Sequence, residues 1–139
     1  MKLKIVACAF ALAVATPVLA SGPQEVRCLA ETVYHEARGE SLDGQLAVAE
    51  TVMNRVRAPS FPRTICGVVT QKGQFAPQKR IVEKAAFERA LHVAQLAVDG
   101  RTGGVSGGAT YFHTTKVSPS WSHRFTRTKK IGNHIFYRE

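Results

Sequence analysis

The sequence predicts an α+β fold that is mainly α-helical, with a small β element near the C-terminus. Three observations support this prediction. Apolar residues recur at three- and four-residue steps in three segments between positions 24 and 98. The last thirty residues change to short, strand-like apolar runs that include a Gly-Asn turn. The chain has 139 residues and no internal repeat, which suits one compact domain behind a short leader.

The first twenty residues have the composition of a signal peptide. Two lysines precede the almost uninterrupted apolar stretch 5–18, and small residues before position 21 suit signal peptidase. A retained membrane anchor is the alternative, but the apolar run is short for a span and contains Pro17. We expect residues 1–20 to be removed. Residues 21–139 would then form one periplasmic or secreted domain, without stable insertion into the membrane.

The first two predicted helices are separated by a single break. Residues 24–35 carry an apolar side chain at every third or fourth position, and the pattern stops at Gly39, a residue type that commonly ends helices. The second helix is predicted to start near residues 41–44, with Ser41 or Asp43 as its N-terminal cap, and to continue as residues 45–57. A proline two residues later ends it.

The rest of the chain adds one long helix and the β element. A short helical turn is expected after Thr64, and a third apolar stripe covers about residues 81–98. The glycine-rich stretch 103–108 predicts a loop. Residues 109–113 are a strand candidate, and residues 130–137 predict a hairpin or terminal strand that turns at its Gly-Asn pair.

The charge balance favours an anionic partner. The chain has 19 Lys and Arg against 10 Asp and Glu, a formal net charge of +9. Anionic wall polymer, acidic lipid and nucleic acid all attract such a protein, and export makes nucleic acid the least expected of them. The basic residues are scattered along the chain, so a role in solubility alone is the alternative.

The cysteines predict one disulfide. Cys8 lies in the predicted leader, which leaves Cys28 and Cys66. In an oxidising compartment an isolated pair most simply forms one bond. Two zinc ligands are the alternative, but neither cysteine belongs to a CxxC pair.

Glu36 is the strongest candidate for chemistry. It lies where the first helical pattern ends. A helix dipole opposes negative charge at the C-terminus, and an apolar wall would oppose it further. A carboxyl group in such a place favours the protonated form that a general acid needs. The alternative is an exposed carboxylate without a catalytic role.

Glu40 is the candidate for a second carboxylate, which a hydrolytic mechanism at a glycosidic bond would need as nucleophile or base. Its turn-forming neighbours also suit a structural role, which we favour. His35 beside Glu36 does not complete the zinc helix motif, because position 39 is Gly instead of the second histidine. We therefore predict neither a metal nor a cofactor.

Polar and aromatic side chains later in the chain are candidates for a substrate groove. On a strand, Tyr111 and His113 share one face, and Phe112 takes the other and belongs in the core. Aromatic rings with a polar edge suit sugar rings, although ordinary packing is the alternative for each. The substrate-binding candidates are Asn54, Gln74, Phe75, Tyr111, His113 and Trp121.

A series of motifs follows one another along the chain. The first is Val33-Tyr34-His35-Glu36-Ala37-Arg38-Gly39-Glu40, and the others are Gly44–Ala49, Asn54–Val56, Phe61-Pro62, Cys66–Val69, Gln74-Phe75, Ala109–His113 and Ile131–Tyr137. In this order they resemble the SleB-type cell-wall hydrolases, the spore-cortex-lytic enzyme family. The resemblance covers nearly all of residues 21–139.

This resemblance implies a lysozyme-like, mostly helical fold and cleavage of the glycan strand of peptidoglycan. It places catalysis on Glu36 and implies a lytic transglycosylase, in which one carboxyl group acts first as acid and then as base. Peptidoglycan is then the partner, and a monomer is expected. Other members have Gly at position 35, so we assign His35 no essential role.

Three other functions stay open at this point. The first is a hydrolytic muramidase that uses Glu40 or another acid. The second is a zinc-dependent N-acetylmuramoyl-L-alanine amidase, which would cut the stem peptide. The third is a wall-binding module without catalysis, which charge and aromatic residues alone would support.

Overall fold

The structure is a computed structural model that describes residues 22–77 and 79–139. Helices alternate with loops over the first two thirds of this part, and a small sheet follows, so the predicted mainly helical α+β class is confirmed. The predicted signal peptide lies outside the described residues. The elements are α1 (Pro23–Ala37), α2 (Leu42–Arg57), α3 (Ile65–Val69), α4 (Lys84–Val98), β1 (Tyr111–Thr114), a 3₁₀ turn (Ser120–His123), β2 (Thr126–Ile131) and β3 (His134–Arg138).

The core lies where α4 packs against α1 and α2. Helix α1 buries a face that includes Leu29 and Val33, and α2 buries Val48 and Val52. The buried face of α4 is mostly alanine, which lets the helix axes approach closely. The alanines are Ala86, Ala90, Ala94 and Ala97.

The helix ends agree with the predictions except at the end of α1 and the start of α4. Ser41 caps α2, because its Oγ accepts a hydrogen bond from the Gly44 amide at 3.2 Å. Helix α1 runs to Ala37, two residues past the expected end, so Glu36 lies inside its last turn. Gly39 does not take the left-handed conformation that a glycine stop commonly uses.

Helix α4 begins at Lys84 instead of near residue 81. The cause is Tyr34 of α1, whose hydroxyl oxygen accepts hydrogen bonds from the amides of Val82 and Glu83 at 3.2 and 3.0 Å. These two hydrogen bonds satisfy the hydroxyl oxygen of the buried Tyr34 and tie the segment before α4 to α1. Helix α3 follows the expected cap, since Thr64 Oγ1 accepts from the Gly67 amide at 3.0 Å.

The sheet has the order β1-β3-β2, and both pairs are antiparallel. The predicted hairpin is confirmed, with its turn at Gly132, whose φ is +54°. Strand β2 starts at Thr126, earlier than expected. The sequence did not indicate this start, because β2 lies at the sheet edge and its exposed polar residues show no apolar alternation. Phe112 packs on Phe136 across the β1–β3 pair at 5.7 Å, as its predicted place in the core requires.

A buried carboxylate anchors the glycine-rich loop to α2. Glu50 is 5% exposed and accepts hydrogen bonds from the amide of Ser106 at 3.0 Å, from its hydroxyl and from the hydroxyl of Thr102. These hydrogen bonds offset the cost of burying the polar carboxyl group.

The predicted disulfide between Cys28 and Cys66 is confirmed. It joins α1 to α3, with the two Cα atoms 5.3 Å apart. The Glu25 carboxylate reinforces the junction, because it accepts from the amides of Ile65 and Cys66 at 2.5 and 3.3 Å. These amides form the first turn of α3, where a helix has donors without partners of its own.

We predict that the Cys28→Ser/Cys66→Ser double variant unfolds at a lower temperature than the wild type. A bond that closes a loop of this length contributes about 3–4 kcal/mol in the chain-entropy model. The melting temperature should therefore fall on the order of 10 °C. Circular dichroism melts without reductant measure it, and the Cys66→Ser single variant should melt like the double variant. Two free thiols in the purified protein, or an unchanged melting temperature, would contradict the prediction.

Candidate active site

Glu36 lies partly buried in the last turn of α1. One oxygen of its carboxyl group, Oε1, accepts a hydrogen bond from the amide of Ala76 at 3.0 Å. Among the residues that the structure describes, no other hydrogen bond or ion pair engages this group. The segment that contains Ala76 thus fixes one oxygen, and the second is left for another partner.

Glu40 has a different environment, four residues further on. Its side chain is 12% exposed, Oε2 accepts from the Asn133 amide at 3.3 Å, and Oε1 lies 3.9 Å from Nδ1 of His134. A Cβ atom at Gly132 would collide with Oε2. Glu40 therefore packs directly on the β2–β3 turn, which agrees with the structural role that its sequence neighbours favoured.

His134 begins β3 and is 2% exposed. The ring of Phe112 lies edge-on to its ring at 5.2 Å, and neither ring nitrogen has a hydrogen-bond partner among the described residues. Burial lowers the pKa of His134, and His113 lowers it further, whereas the charges of Glu40 and Glu36 oppose the change. His134 is therefore neutral at pH 7 and lies within electrostatic range of both carboxylates.

An aromatic cluster covers the face of the sheet opposite to Phe112. We call it the aromatic wall, and its members are Tyr111, His113, Trp121, Phe125 and Tyr137. Ring centroids lie 5.2 Å apart for Tyr111 and Trp121 and 5.6 Å apart for His113 and Trp121. The structure thus brings Trp121 together with Tyr111 and His113, the two candidates that the strand alternation placed on one face.

Hydrogen bonds fix the orientation of His113 in this wall. Its Nδ1 lies 2.7 Å from the carbonyl oxygen of Thr114, and its Nε2 lies 3.0 Å from the hydroxyl of Tyr137. In the neutral ring Nδ1–H donates to the carbonyl, so Tyr137 donates to Nε2. His113 also stacks on Tyr137 with centroids 5.3 Å apart, which leaves the ring little freedom to turn.

Arg55 joins the remaining candidates to the wall. It is 3% exposed, and its guanidinium carbon lies between 4.9 and 5.1 Å from the ring centroids of Phe61, Phe75 and Tyr111. Nη1 donates to Oε1 of Gln74 at 3.1 Å, and Nε donates to a backbone carbonyl at 2.6 Å. This role was not predicted from the sequence, although Arg55 stands in one of the motifs that carried the resemblance.

Asn54 contacts a different part of the molecule. Its amide donates to the carbonyl of Ala109 at 2.8 Å and reaches Ser106 Oγ at 3.4 Å, so it helps to hold the glycine-rich loop. It lines a cavity of about 290 Å³ together with Glu50 and Thr102. A role for Asn54 in substrate binding stays a prediction, and its contacts set it apart from the other candidates.

In residues 22–77 and 79–139, no three His, Cys, Asp or Glu side chains lie close enough together to hold a metal ion. Within the same ranges, every helix is too short or too polar to cross a bilayer.

Comparison with known proteins identifies similar sequences and structures. A family model described as Cell Wall Hydrolase matches residues 39–137 and so begins just after Glu36. The spore cortex-lytic enzymes of Halalkalibacterium halodurans and Bacillus subtilis are 35% and 30% identical over 114 and 115 residues, 81% of this chain in each case. These stretches are 34% and 37% of the two relatives, so the chain spans little more than a third of their length.

Two solved structures have similar folds. The catalytic domain of the germination-specific lytic transglycosylase SleB from Bacillus anthracis superposes with a TM-score of 0.72 and is 29% identical, covering 86% of this chain and 98% of that one. The catalytic domain of the Bacillus cereus SleB protein superposes with a TM-score of 0.66 and is 30% identical, covering 82% of this chain and 89% of that one. The resemblance predicted from the motifs is confirmed.

We predict that the protein loses stability as the pH falls below neutrality and that His134 causes part of the loss. Its pKa in the folded state lies below the value of about 6.5 in the unfolded chain. The unfolded chain therefore takes up the proton first. The contribution of neutral His134 to the free energy of unfolding is complete above its pKa in the unfolded chain. It is lost as the pH falls towards its pKa in the folded state. Urea unfolding between about pH 8 and pH 5.5 spans the start of this range.

The variant His134→Phe keeps an aromatic ring and removes the titration, so its stability should depend less on pH than that of the wild type. His92 is exposed on α4, and His92→Gln is the matched control that should keep the wild-type slope. An equal slope in His134→Phe and the wild type would refute the role of His134.

We predict that Gly132→Ala destabilises the protein more than Gly100→Ala. Both glycines have positive φ, +54° and +71°, so each alanine costs about 1–2 kcal/mol of backbone strain. Only at position 132 does the new Cβ meet a side chain, the Glu40 carboxylate. Urea unfolding compares the two glycine variants, and a cycle of Gly132→Ala, Glu40→Ala and the double variant measures the coupling. Equal losses for the two glycine variants would argue against the contact.

Proposed function

This chain belongs to the cell-wall hydrolase family, and on that premise we propose that it is a lytic transglycosylase of peptidoglycan. It would cleave the glycan strand between N-acetylmuramic acid and N-acetylglucosamine, with Glu36 as the acid and base. The family membership supports the substrate. The similarity to the solved SleB domain, which is described as a lytic transglycosylase, supports the type of reaction.

The observation that carries the assignment is the difference between the two glutamates of the first motif. Glu40 is engaged by Asn133 and lies beside His134, so its carboxylate is committed to the β2–β3 turn. Glu36 has one oxygen held by Ala76 and one without a hydrogen bond to the described residues. A single available carboxyl group suits a mechanism that uses one group twice.

In the first step, protonated Glu36 donates its proton to the glycosidic oxygen, and the bond from that oxygen to C1 of the muramic acid breaks. The N-acetylglucosamine part of the strand leaves as an alcohol. The positive charge that develops at C1 is stabilised by the carbonyl oxygen of the substrate's own N-acetyl group, so no protein nucleophile is required. Glu36 is left as a carboxylate, and Ala76 donates a hydrogen bond to it.

In the second step, the Glu36 carboxylate takes the proton from the 6-hydroxyl group of the same muramic acid. The 6-oxygen bonds to C1 and closes a 1,6-anhydro ring. No water is consumed, and Glu36 regains the proton with which it began. Restoring the acid in this way lets one carboxyl group complete the cycle.

The aromatic wall is the surface that we propose for the sugar rings. Tyr111, His113 and Trp121 are held by mutual packing, and Gln74 and Phe75 are held by Arg55, so the surface is set before a substrate arrives. Rigid rings bind with little loss of side-chain freedom. We further propose a monomer, without metal or cofactor, that acts in the periplasm or outside the cell.

We predict that Glu36→Gln abolishes cleavage of purified sacculi. The amide keeps the shape and cannot donate the proton, so the rate should fall at least about 100-fold. Glu31→Gln is the matched control, because Glu31 lies on the same helix and pairs only with Arg27 at 2.9 Å among the described residues. A folded Glu36→Gln variant that keeps more than a few per cent of the rate would refute the assignment.

Mass spectrometry of the digest separates the alternatives in the same experiment. Anhydro-muramic ends support the transglycosylase. Reducing ends, with Glu40→Gln as damaging as Glu36→Gln, would indicate a hydrolytic muramidase. Freed stem peptides would indicate an amidase, and the absence of any product would indicate a wall-binding module.

A further inference from the structure

A second concave site lies beside Glu36. It has a volume of about 320 Å³ and lies between the end of α1 and the extended segment that leads into α4. We call it the basic pocket, and its defining residues are Tyr34, Arg38, Ala76, Lys79 and Arg80.

The basic pocket adjoins the catalytic carboxyl group through Ala76. This residue lines the pocket, and its amide donates to Oε1 of Glu36 at 3.0 Å. Tyr34 and Arg38 also flank Glu36 in sequence at the end of α1. A ligand in the pocket is therefore separated from the Glu36 carboxyl group by one short backbone segment.

One wall of the pocket is fixed and nearly neutral. Nε of Arg38 pairs with Oε1 of Glu83 at 2.8 Å, and the guanidinium carbon lies 4.8 Å from the centre of the Tyr34 ring. Tyr34 is itself held by the amides of Val82 and Glu83. This wall gives the pocket shape, and its own charge is largely balanced.

The segment that leads into α4 adds positive charge to the pocket that is not balanced. Lys79 and Arg80 are exposed, and among residues 22–77 and 79–139 no carboxylate lies within ion-pair distance of either. With Arg38 offset by Glu83, the pocket keeps a net positive charge from these two residues. An arginine fork and a lysine ammonium suit the binding of carboxylates.

We propose that the basic pocket binds the carboxylates of the stem peptide that the muramic acid carries. This rests on the proposed function, because the stem is attached to the same sugar whose bond Glu36 would break. A glycan strand with its stems in place has no charge on the sugars, since each lactyl group is tied up in an amide bond. The free carboxylates of the stem are then the anionic groups that enter the site with the sugar.

The experiment compares two substrates that differ only in charge. One is a short peptidoglycan strand with intact stem peptides, and the other is the same strand with the peptide carboxylates converted to carboxamides. Binding is measured by calorimetry with the Glu36→Gln variant, which should bind without cleaving. We expect this protein to bind the acidic strand about fivefold more tightly than the amidated one.

Adding Lys79→Gln and Arg80→Gln to this variant should weaken the binding of the acidic strand only. The ratio of the two affinities should then fall to about one. The matched control adds Arg63→Gln and Arg101→Gln, two exposed residues outside the pocket, and removes the same amount of charge. The control should keep the preference. Equal binding of the two strands, or an equal loss of preference in the control, would overturn the proposal.

The outcome is independent of the proposed reaction. If the wild type cleaves neither strand while the preference for the acidic strand is found, the transglycosylase function fails and the basic pocket stands. If the wild type cleaves both strands at the same rate and binding shows no preference, the basic pocket fails and the transglycosylase function stands.

Discussion

The helical and β parts of this domain meet at the Glu40 carboxylate. It accepts a hydrogen bond from the Asn133 amide, and it occupies the space that any side chain at position 132 would need. The backbone oxygen of Glu40 also accepts from Gln45 at 3.1 Å, which ties the same residue to the start of α2. Glu40 is therefore one of the contacts that set the position of the β2–β3 turn relative to Glu36, beside the hydrogen bonds from Asn54 and Arg55 to the backbone before β1.

The buried guanidinium of Arg55 has a similar organising role next to the aromatic wall, the surface that we propose for the sugar rings. Burying a guanidinium without a carboxylate costs free energy unless other groups replace its hydration. Around Arg55, two hydrogen bonds and three aromatic faces do so. Because the same contacts hold Gln74, Phe75 and Tyr111, the interactions that satisfy Arg55 also order the side chains that we propose for sugar binding. Replacement by lysine would keep the charge but lose the planar fork.

Local signals in the sequence predicted most of the helices and the hairpin. Tertiary contacts explain the features that these signals did not predict. Apolar periodicity and the Ser41 cap located α1 and α2, and the Gly-Asn pair located the hairpin. The start of α4 could not be predicted, because it is set by the hydroxyl of Tyr34, about fifty residues earlier in the chain. The burial of His134 and the charge of the basic pocket likewise arise only when distant segments come together.

The end of α1 explains why two glutamates four residues apart have different roles. Had the helix continued for another turn, Glu36 and Glu40 would lie on one face as neighbouring like charges, which destabilises a helix. The helix ends at Ala37, so the chain turns and Glu40 reaches the β2–β3 turn, where an amide donor and His134 meet it. Glu36 stays in the last turn with one oxygen unengaged by the described residues. The break between the helices thus separates the carboxylate that contacts the β2–β3 turn from the one that we propose for proton transfer.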